Sequence, residues 1–238
     1  MDEPGDDSPT LPPLAVDIDG TLTDEERRLD RRAIPLLREW AEVAPVVVAT
    51  GKALPYPVAL CEFLGVPTTV VAENGGAAYV ARTDELRYVG DRESADAVAE
   101  EYRAAGHSLG WGGVDLANRW RETELAVSRD QPLEPLRETA TRYGLEVVDT
   151  GFAYHVKSPD VDKGKGLAAV AESLGVEVGS FATVGDSAND VAMFERAAVS
   201  YAVANADNVA RDTADHVTEG SYGDGFIEAV ERIRAGVD

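Results

Sequence analysis

Short apolar runs that end in polar residues constrain the fold of this chain most. The clearest runs occupy residues 14–18, 45–49 and 181–184, and a helical pattern follows each of them. Continuous apolar runs of this length are typical of parallel strands that are buried on both faces. Strands that alternate with helices predict an α/β fold with a doubly wound parallel sheet as its core.

Two acidic residues stand at the end of the first run, in the order Asp17-Ile18-Asp19-Gly20-Thr21. Alternation along a strand points Asp17 and Asp19 to the same side. Such a pair could bind Mg²⁺ through oxygen atoms, and one carboxylate could attack an electrophile while the other transfers a proton. The alternative is a turn with two solvated carboxylates, because Asp-Gly is a common turn dipeptide.

The second run ends in Thr50-Gly51, at the start of a predicted helix. A hydroxyl, a flexible amide and a helix N-terminus together offer donors to an anion such as phosphate. A plain turn between strand and helix is the alternative. Because the carboxyl ends of parallel strands line one edge of a sheet, we expect Thr50 and Gly51 beside Asp17 and Asp19.

Lysine is scarce in this chain, and two of its four lysines, Lys163 and Lys165, begin another predicted helix. A cation is unfavourable at the positive end of a helix, so we expect these lysines to meet an anion. Two solvated lysines are the alternative. Periodicity does not decide which of the two points inward.

Asp186 and Asp190 follow the third apolar run, four residues apart. Together with Asp17 and Asp19 they could supply the oxygen ligands of Mg²⁺. Each of them could instead cap the helix that follows.

The pattern changes between residues 82 and 157, where strands and helices are predicted in the order β, α, β, α, β, β. We interpret this segment as an inserted α+β cap, with residues 1–81 and 158–238 forming the core. A cap over the site would exclude water and select substrates. The Asn74-Gly75 turn before it predicts a hairpin, so we assign it a structural role.

Composition excludes several classes of function. Arg and Lys number 22 against 44 Asp and Glu, a net charge of −22, which disfavours binding to nucleic acid or anionic membranes. The spread of acidic residues predicts adaptation to high salt, where such repulsion is screened. The single Cys61 cannot form an internal disulfide, and no apolar run is long enough for a membrane span. We therefore expect a cytoplasmic protein.

The order Asp17-x-Asp19-Gly20-Thr21, Thr50-Gly51, Lys163-Gly164 and Gly185-Asp186-x-x-Asn189-Asp190 resembles the haloacid dehalogenase superfamily of phosphohydrolases. The inserted segment is similar to the type IIB cap of its sugar-phosphatase branch. The resemblance implies a nucleophile at Asp17 and an acid/base at Asp19, which also ligates metal through its backbone carbonyl. It further implies phosphate binding by Thr50, Gly51 and Lys163, and Mg²⁺ positioning by Asp186 and Asp190.

Within the superfamily, the resemblance is closest to archaeal phosphatases that act on 2-phosphoglycolate. It implies Mg²⁺-dependent hydrolysis of this small metabolite to glycolate and phosphate through a phospho-aspartyl intermediate. A sugar phosphate such as sucrose or mannosylglycerate phosphate is the second expectation, and a phosphomutase the third. A phospho-receiver domain shares clustered Asp, Thr and Lys but is shorter and has no inserted module. Lys52 stands where this branch commonly has Asn, and we allow for a homodimer.

Overall fold

The computed structural model describes residues 11–236 of the chain, so residues 1–10 and 237–238 of the predicted core lie outside the described part. The strands of the described residues are, in chain order, β1 (Leu14–Asp17), β2 (Val46–Ala49), β3 (Thr69–Ala72), β4 (Ala77–Val80), β5 (Glu85–Tyr88), β6 (Leu125–Ser128), β7 (Glu146–Asp149), β8 (Ala153–Lys157), β9 (Ala182–Gly185), β10 (Val199–Ala202) and β11 (His216–Val217).

A helix follows each of the three apolar runs, as the sequence predicts. The helices of the described residues are α1 (Ala33–Ala41), α2 (Pro55–Leu64), α3 (Arg92–Ala104), α4 (Leu133–Arg142), α5 (Lys163–Leu174), α6 (Val191–Phe194), α7 (Asn208–Thr213) and α8 (Tyr222–Ala235). None of the helices between residues 11 and 236 is long and apolar enough to cross a membrane.

Eight strands form one sheet in the order β11-β10-β9-β1-β2-β3-β4-β5. The strands from β11 to β3 run parallel, whereas β4 and β5 continue the sheet as an antiparallel edge. β1 is buried along its whole length in the middle of the sheet. The predicted α/β class with a parallel core sheet is confirmed.

Apolar side chains cover both faces of this sheet, which makes the core doubly wound. One cluster contains Leu37 and Trp40 of α1 with Phe226 of α8. The other contains Leu167 of α5 and Phe181, which precedes β9. Because helices shield both faces, ligands can approach the parallel strands only at the ends of the sheet.

A second, smaller sheet lies in the inserted segment. Its order is β6-β8-β7, all antiparallel, and α3 and α4 pack on it around Tyr102 and Leu136. The strand β5, which the sequence analysis assigned to this module, pairs instead with β4 in the large sheet. Its alternating exposure suits the edge of either sheet, so the sequence pattern could not choose between them.

Candidate active site

The carboxyl ends of three neighbouring strands bring the predicted site residues together. β1 lies between β2 and β9 and runs parallel to both, so Asp17, Thr50 and Asp186 stand at one edge of the sheet. Asp17 is in register with Ala49, the residue before Thr50. In open parallel sheets, this edge is where ligands bind.

Lys163 provides the positive charge at the centre of the site. Its buried Nζ donates to Oδ1 of Asp17 at 2.7 Å and to Oδ1 of Asp190 at 2.6 Å. Burial alone would lower the pKa of Lys163, but the two carboxylates raise it above its ordinary value. Lys165 instead donates to the carbonyl oxygen of Asp160 on the surface. The structure therefore shows that Lys163 points inward and Lys165 outward.

Asp17, Asp186 and Asp190 have carboxylate oxygens within 4.8 Å of one another. Three carboxylates and one ammonium leave a charge of about −2 when all are ionised. Burial raises the pKa of Asp17 well above its ordinary value, and repulsion from Asp190 and Asp186 opposes the lowering by Lys163. Burial, followed by repulsion from Asp190, raises the pKa of Asp186 to about 7. A divalent cation with oxygen ligands would relieve this repulsion, so the residues fit Mg²⁺.

Asp186 and Asp190 make different contacts in the site. Gly20 has φ +84°, and a Cβ there would lie 2.1 Å from Oδ2 of Asp186, so only glycine lets this carboxylate approach the loop after β1. Oδ2 of Asp190 accepts the N–H groups of Asp186 and Ser187 at 3.0 and 3.1 Å. Because its Oδ1 binds Lys163, Asp190 holds the loop and the lysine in place.

The carboxylate of Asp19 forms an ion pair with Lys52. Nζ of Lys52 donates to Oδ1 and Oδ2 of Asp19 at 2.7 and 2.5 Å. Both side chains are partly exposed to the cavity above the strand ends. A hydrogen bond also holds the backbone of Lys52, because its N–H donates to Oγ1 of Thr50 at 3.1 Å. Sequence reasoning noted Lys52 as a departure from the family pattern and gave it no role.

A small pocket of about 70 Å³ lies directly above the strand ends. Its core residues are Asp17, Asp19, Gly51, Lys52, Asp186, Ser187 and Asn189, and the inserted module adds Thr150, Phe152 and His155. Thr50 itself is buried beneath this surface. The pocket is therefore closed on one side by the inserted module, and the sequence did not reveal which residues of the module contribute.

A buried hydrogen-bond network joins the core to the module beside this pocket. Nδ2 of Asn74 donates to Oε2 of Glu124 at 3.0 Å, and Oδ1 of Asn74 accepts from Nδ2 of Asn189 at 3.1 Å. Nδ1 of His155 donates to Oε1 of Glu124 at 2.8 Å. Burial alone would raise the pKa of Glu124, but His155 and Arg121 lower it to about 2. The network connects the loop of Asp190 with the wall of the pocket.

The sequence predicted only a turn at Asn74 and not its hydrogen bonds to the inserted module and to the loop of Asp190. Its partners lie 50 and 115 residues away, so no local spacing could reveal them. The only local signal was two polar residues in the turn directly after a buried strand, Glu73 and Asn74.

Glu73 fastens the chain that leads into β6. Its buried carboxylate accepts the N–H groups of Glu122 and Thr123, at 3.0 and 2.9 Å, and the hydroxyl of Thr123 at 2.7 Å. Glu73 and Asn74 have φ +51° and +54°, which is unfavourable for residues with side chains. Strained positions of this kind persist where the surroundings hold them, and they cluster at functional sites.

A larger cavity of about 480 Å³ opens beside the small pocket and shares Asp19, Lys52 and Phe152 with it. Most of its wall is apolar, formed by Ile18, Leu29, Ala53, Tyr56, Leu60, Ala117 and Phe152. Arg27 stacks on Phe152, with its guanidinium carbon 4.2 Å from the ring centroid. Thr23 and Arg121 supply further polar groups.

The fold and this arrangement of carboxylates and lysine define a class of hydrolase. The sequence model of the haloacid dehalogenase-like hydrolase family matches residues 14–101 and 135–230, so the chain belongs to this family. The resemblance found in the sequence is confirmed, and so is the expectation of a phosphoric monoester hydrolase.

The chain is similar to curated proteins named phosphoglycolate phosphatase. The protein of Haloarcula marismortui is 63% identical over 223 residues, which cover 94% of this chain and 97% of that protein. That of Natronomonas pharaonis is 60% identical and covers 93% of this chain and 97% of that protein. The crystal structure of Thermoplasma acidophilum 0175 has a TM-score of 0.80 at 26% identity, covering 94% of this chain and 98% of that one.

Proposed function

We propose that the chain hydrolyses 2-phosphoglycolate to glycolate and inorganic phosphate through a phospho-aspartyl intermediate on Asp17. The observation that carries this proposal is the placement of Asp17 and Asp19 at one strand end, with Lys163 bound to Asp17. The similarity to proteins named phosphoglycolate phosphatase supports the choice of substrate.

The phosphoryl group would occupy the small pocket. Asp17 and Gly51 both line this pocket, so a group bound there lies next to the proposed nucleophile. The N–H of Gly51 and the ammonium of Lys163 would neutralise charge on the phosphoryl oxygens. Thr50 would support this loop through its contact with the N–H of Lys52.

Hydrolysis would proceed in two displacements. A carboxylate oxygen of Asp17 attacks phosphorus, the ester P–O bond breaks, and Asp19 gives its proton to the departing alkoxide. A water molecule then attacks the aspartyl phosphate, and Asp19 takes the proton from this water. The P–O bond to Asp17 breaks, which releases phosphate and restores the free carboxylate.

Mg²⁺ would be held by Asp17, Asp186 and the backbone carbonyl of Asp19, with Asp190 keeping this loop in place. When bound, the ion would supply charge neutralisation at the phosphoryl oxygens. Lys163 would supply a second positive charge, next to Oδ1 of Asp17, to which it donates a hydrogen bond. These groups leave the larger cavity to the leaving group.

The wall of the larger cavity favours a small leaving group over a sugar. Its surface is mostly apolar, so a sugar would leave many hydroxyl groups without hydrogen-bond partners. A sugar phosphate is nevertheless the second candidate, because the volume of about 480 Å³ exceeds that of glycolate. A phosphomutase is the third candidate, and it would return the phosphoryl group to a sugar rather than to water.

A substrate panel tests the proposal. Released phosphate is measured with 2-phosphoglycolate, sucrose phosphate, mannosylglycerate phosphate and a hexose phosphate, in Mg²⁺ and molar KCl. We expect the highest kcat/KM for 2-phosphoglycolate. A higher value for either sugar phosphate would replace the proposed substrate, and transfer to a sugar without release of phosphate would identify a mutase.

A further inference from the structure

The ion pair between Lys52 and Asp19 stands where the two cavities meet. Both residues line the small pocket and the larger cavity, so a ligand that spans the two cavities must pass them. The ammonium of Lys52 lies 5.6 Å from the ring centroid of Phe152, which belongs to the inserted module. Lys52 therefore occupies the passage between the phosphoryl position and the space for the leaving group.

The leaving oxygen of a substrate has a defined place in this passage. It must come within about 2.6–3.2 Å of Asp19 to receive a proton. In a phosphate ester of a 2-hydroxy acid, the carboxylate carbon is two bonds from this oxygen. The carboxylate consequently falls within reach of the ammonium that already touches both oxygens of Asp19.

The charges around the passage suit such a carboxylate. Lys52 is partly exposed to the cavity, and an ammonium carries three donors, enough to hold Asp19 and a second anion together. Arg121, which also lines the larger cavity, already pairs with the buried Glu124, and Arg27, the third cation there, is exposed and stacks on Phe152. A neutral leaving group would meet a charged ion pair in a largely apolar wall and gain nothing from it.

We infer that Lys52 is the specificity-determining residue that binds the carboxylate of the leaving group. Lys52 selects phosphate monoesters of short hydroxy acids over esters of neutral alcohols. The bound carboxylate takes over one of the two contacts that Lys52 makes with Asp19, which leaves an oxygen of Asp19 to carry the proton for the alkoxide. This inference rests on the proposed hydrolysis of 2-phosphoglycolate.

The test compares two esters that differ only at the group in question. One is 2-phosphoglycolate, and the other is 2-hydroxyethyl phosphate, in which a neutral CH₂OH replaces the carboxylate. The ratio of their kcat/KM values is measured for the wild type and for Lys52→Met and Lys52→Arg. Lys165→Met is the matched control, because it removes a lysine charge at the surface.

We expect the wild type to favour 2-phosphoglycolate by about tenfold or more, the effect of a hydrogen bond to a charged group. Lys52→Met should reduce this ratio to near one, mainly by raising KM for 2-phosphoglycolate. Lys52→Arg should keep a preference for the acid, and Lys165→Met should keep the wild-type ratio. Thermal unfolding of each variant reports whether it is folded.

Two results would overturn the inference separately from the proposed function. If Lys52→Met lowers kcat for both esters by the same factor and keeps their ratio, Lys52 only positions Asp19. If Lys52→Met does not fold, loss of the preference in folded Lys52→Arg, with its retained charge, counts against recognition. If the wild type releases phosphate from neither ester, the proposed function fails and the inference falls with it.

Discussion

The ammonium of Lys163 bridges Asp17 and Asp190 at 2.7 and 2.6 Å, and all three side chains are buried. Asp17 ends the central strand, and Asp190 ends the loop after the neighbouring strand β9. The bridge therefore joins the end of β1 to the loop after β9, although Asp17 and Asp190 are more than 170 residues apart in the chain. It also leaves Asp17 oriented by a cation.

Replacement of the nucleophile provides the first prediction. Asp17→Asn should abolish phosphate release, because an amide oxygen is a poor nucleophile, while the side chain keeps its shape. The thermal midpoint in EDTA should not fall, since the variant has one fewer buried negative charge in a repulsive cluster. Asp160→Asn, at an exposed carboxylate, is the control. Wild-type turnover in Asp17→Asn would rule out the covalent mechanism.

Metal binding provides the second prediction. Mg²⁺ should raise the thermal midpoint, because it binds the folded cluster and not the unfolded chain. Saturation at 100 times Kd corresponds to about 2.7 kcal/mol. Asp186→Asn should show a much smaller increase, because it removes a proposed ligand. Phosphate release should cease in EDTA and return with Mg²⁺. An equal midpoint increase in Asp186→Asn would exclude this carboxylate as a ligand.

The network around Asn74 provides the third prediction. Asn74→Ala would remove the hydrogen bond to Oε2 of the buried Glu124, whose Oε1 keeps Arg121 and His155, and the bond that half-buried Asn189 donates to Asn74. Loss of the partner of a buried acceptor costs about 1–3 kcal/mol. We expect lower stability in denaturant titration and a lower kcat/KM, because the loop of Asp190 loses a support. Asn208→Ala, at an exposed helix start, serves as the control and should change neither.

The pH dependence of stability provides the fourth prediction. The folded pKa of Glu124, about 2, lies below its ordinary value of 4.5, so its ionised form stabilises the folded state above pH 4.5. This stabilisation, about 3 kcal/mol for such a shift, is lost as the pH falls from 4.5 towards 2. The free energy of unfolding of Glu124→Gln should therefore depend less on pH in this window. Glu122→Gln, at an exposed side chain, should follow the wild type.

Salt dependence provides the fifth prediction. The net charge of −22 opposes the compact state at low ionic strength, and at 1 M salt the screening length falls to about 3 Å. The unfolding midpoint should rise between low and molar KCl, because the salt screens this repulsion. A midpoint that stays constant or falls would contradict salt adaptation.

The strand ends could be predicted from the sequence because their signals are local. Apolar runs that stop at Asp17, Thr50 and Asp186 predict parallel strands, and the sheet then brings their ends together. The inward direction of Lys163 was implied only by the family resemblance, since periodicity left Lys165 equally open. The three-dimensional arrangement shows it directly.

The contacts between residues far apart in the chain could not be predicted. Asn74 contacts Glu124 across 50 residues, and Lys52 contacts Asp19 across 33, so neither pair has a sequence signature. The sequence analysis placed β5 in the inserted module, whereas it pairs with β4 of the large sheet, because an alternating pattern indicates only that one face of a strand is covered. In each case, the sequence does not show which other part of the chain the residue or strand contacts.

The hydrogen bonds that Glu73 accepts influence which sequence changes the inserted module can tolerate. Two of its hydrogen bonds go to main-chain N–H groups, at Glu122 and Thr123, which every residue except proline offers. The contact between Glu73 and this part of the inserted module therefore depends little on which side chains the module carries there. Substitutions in the inserted module can alter the leaving-group cavity while this attachment persists, so one catalytic core can be combined with caps of different selectivity.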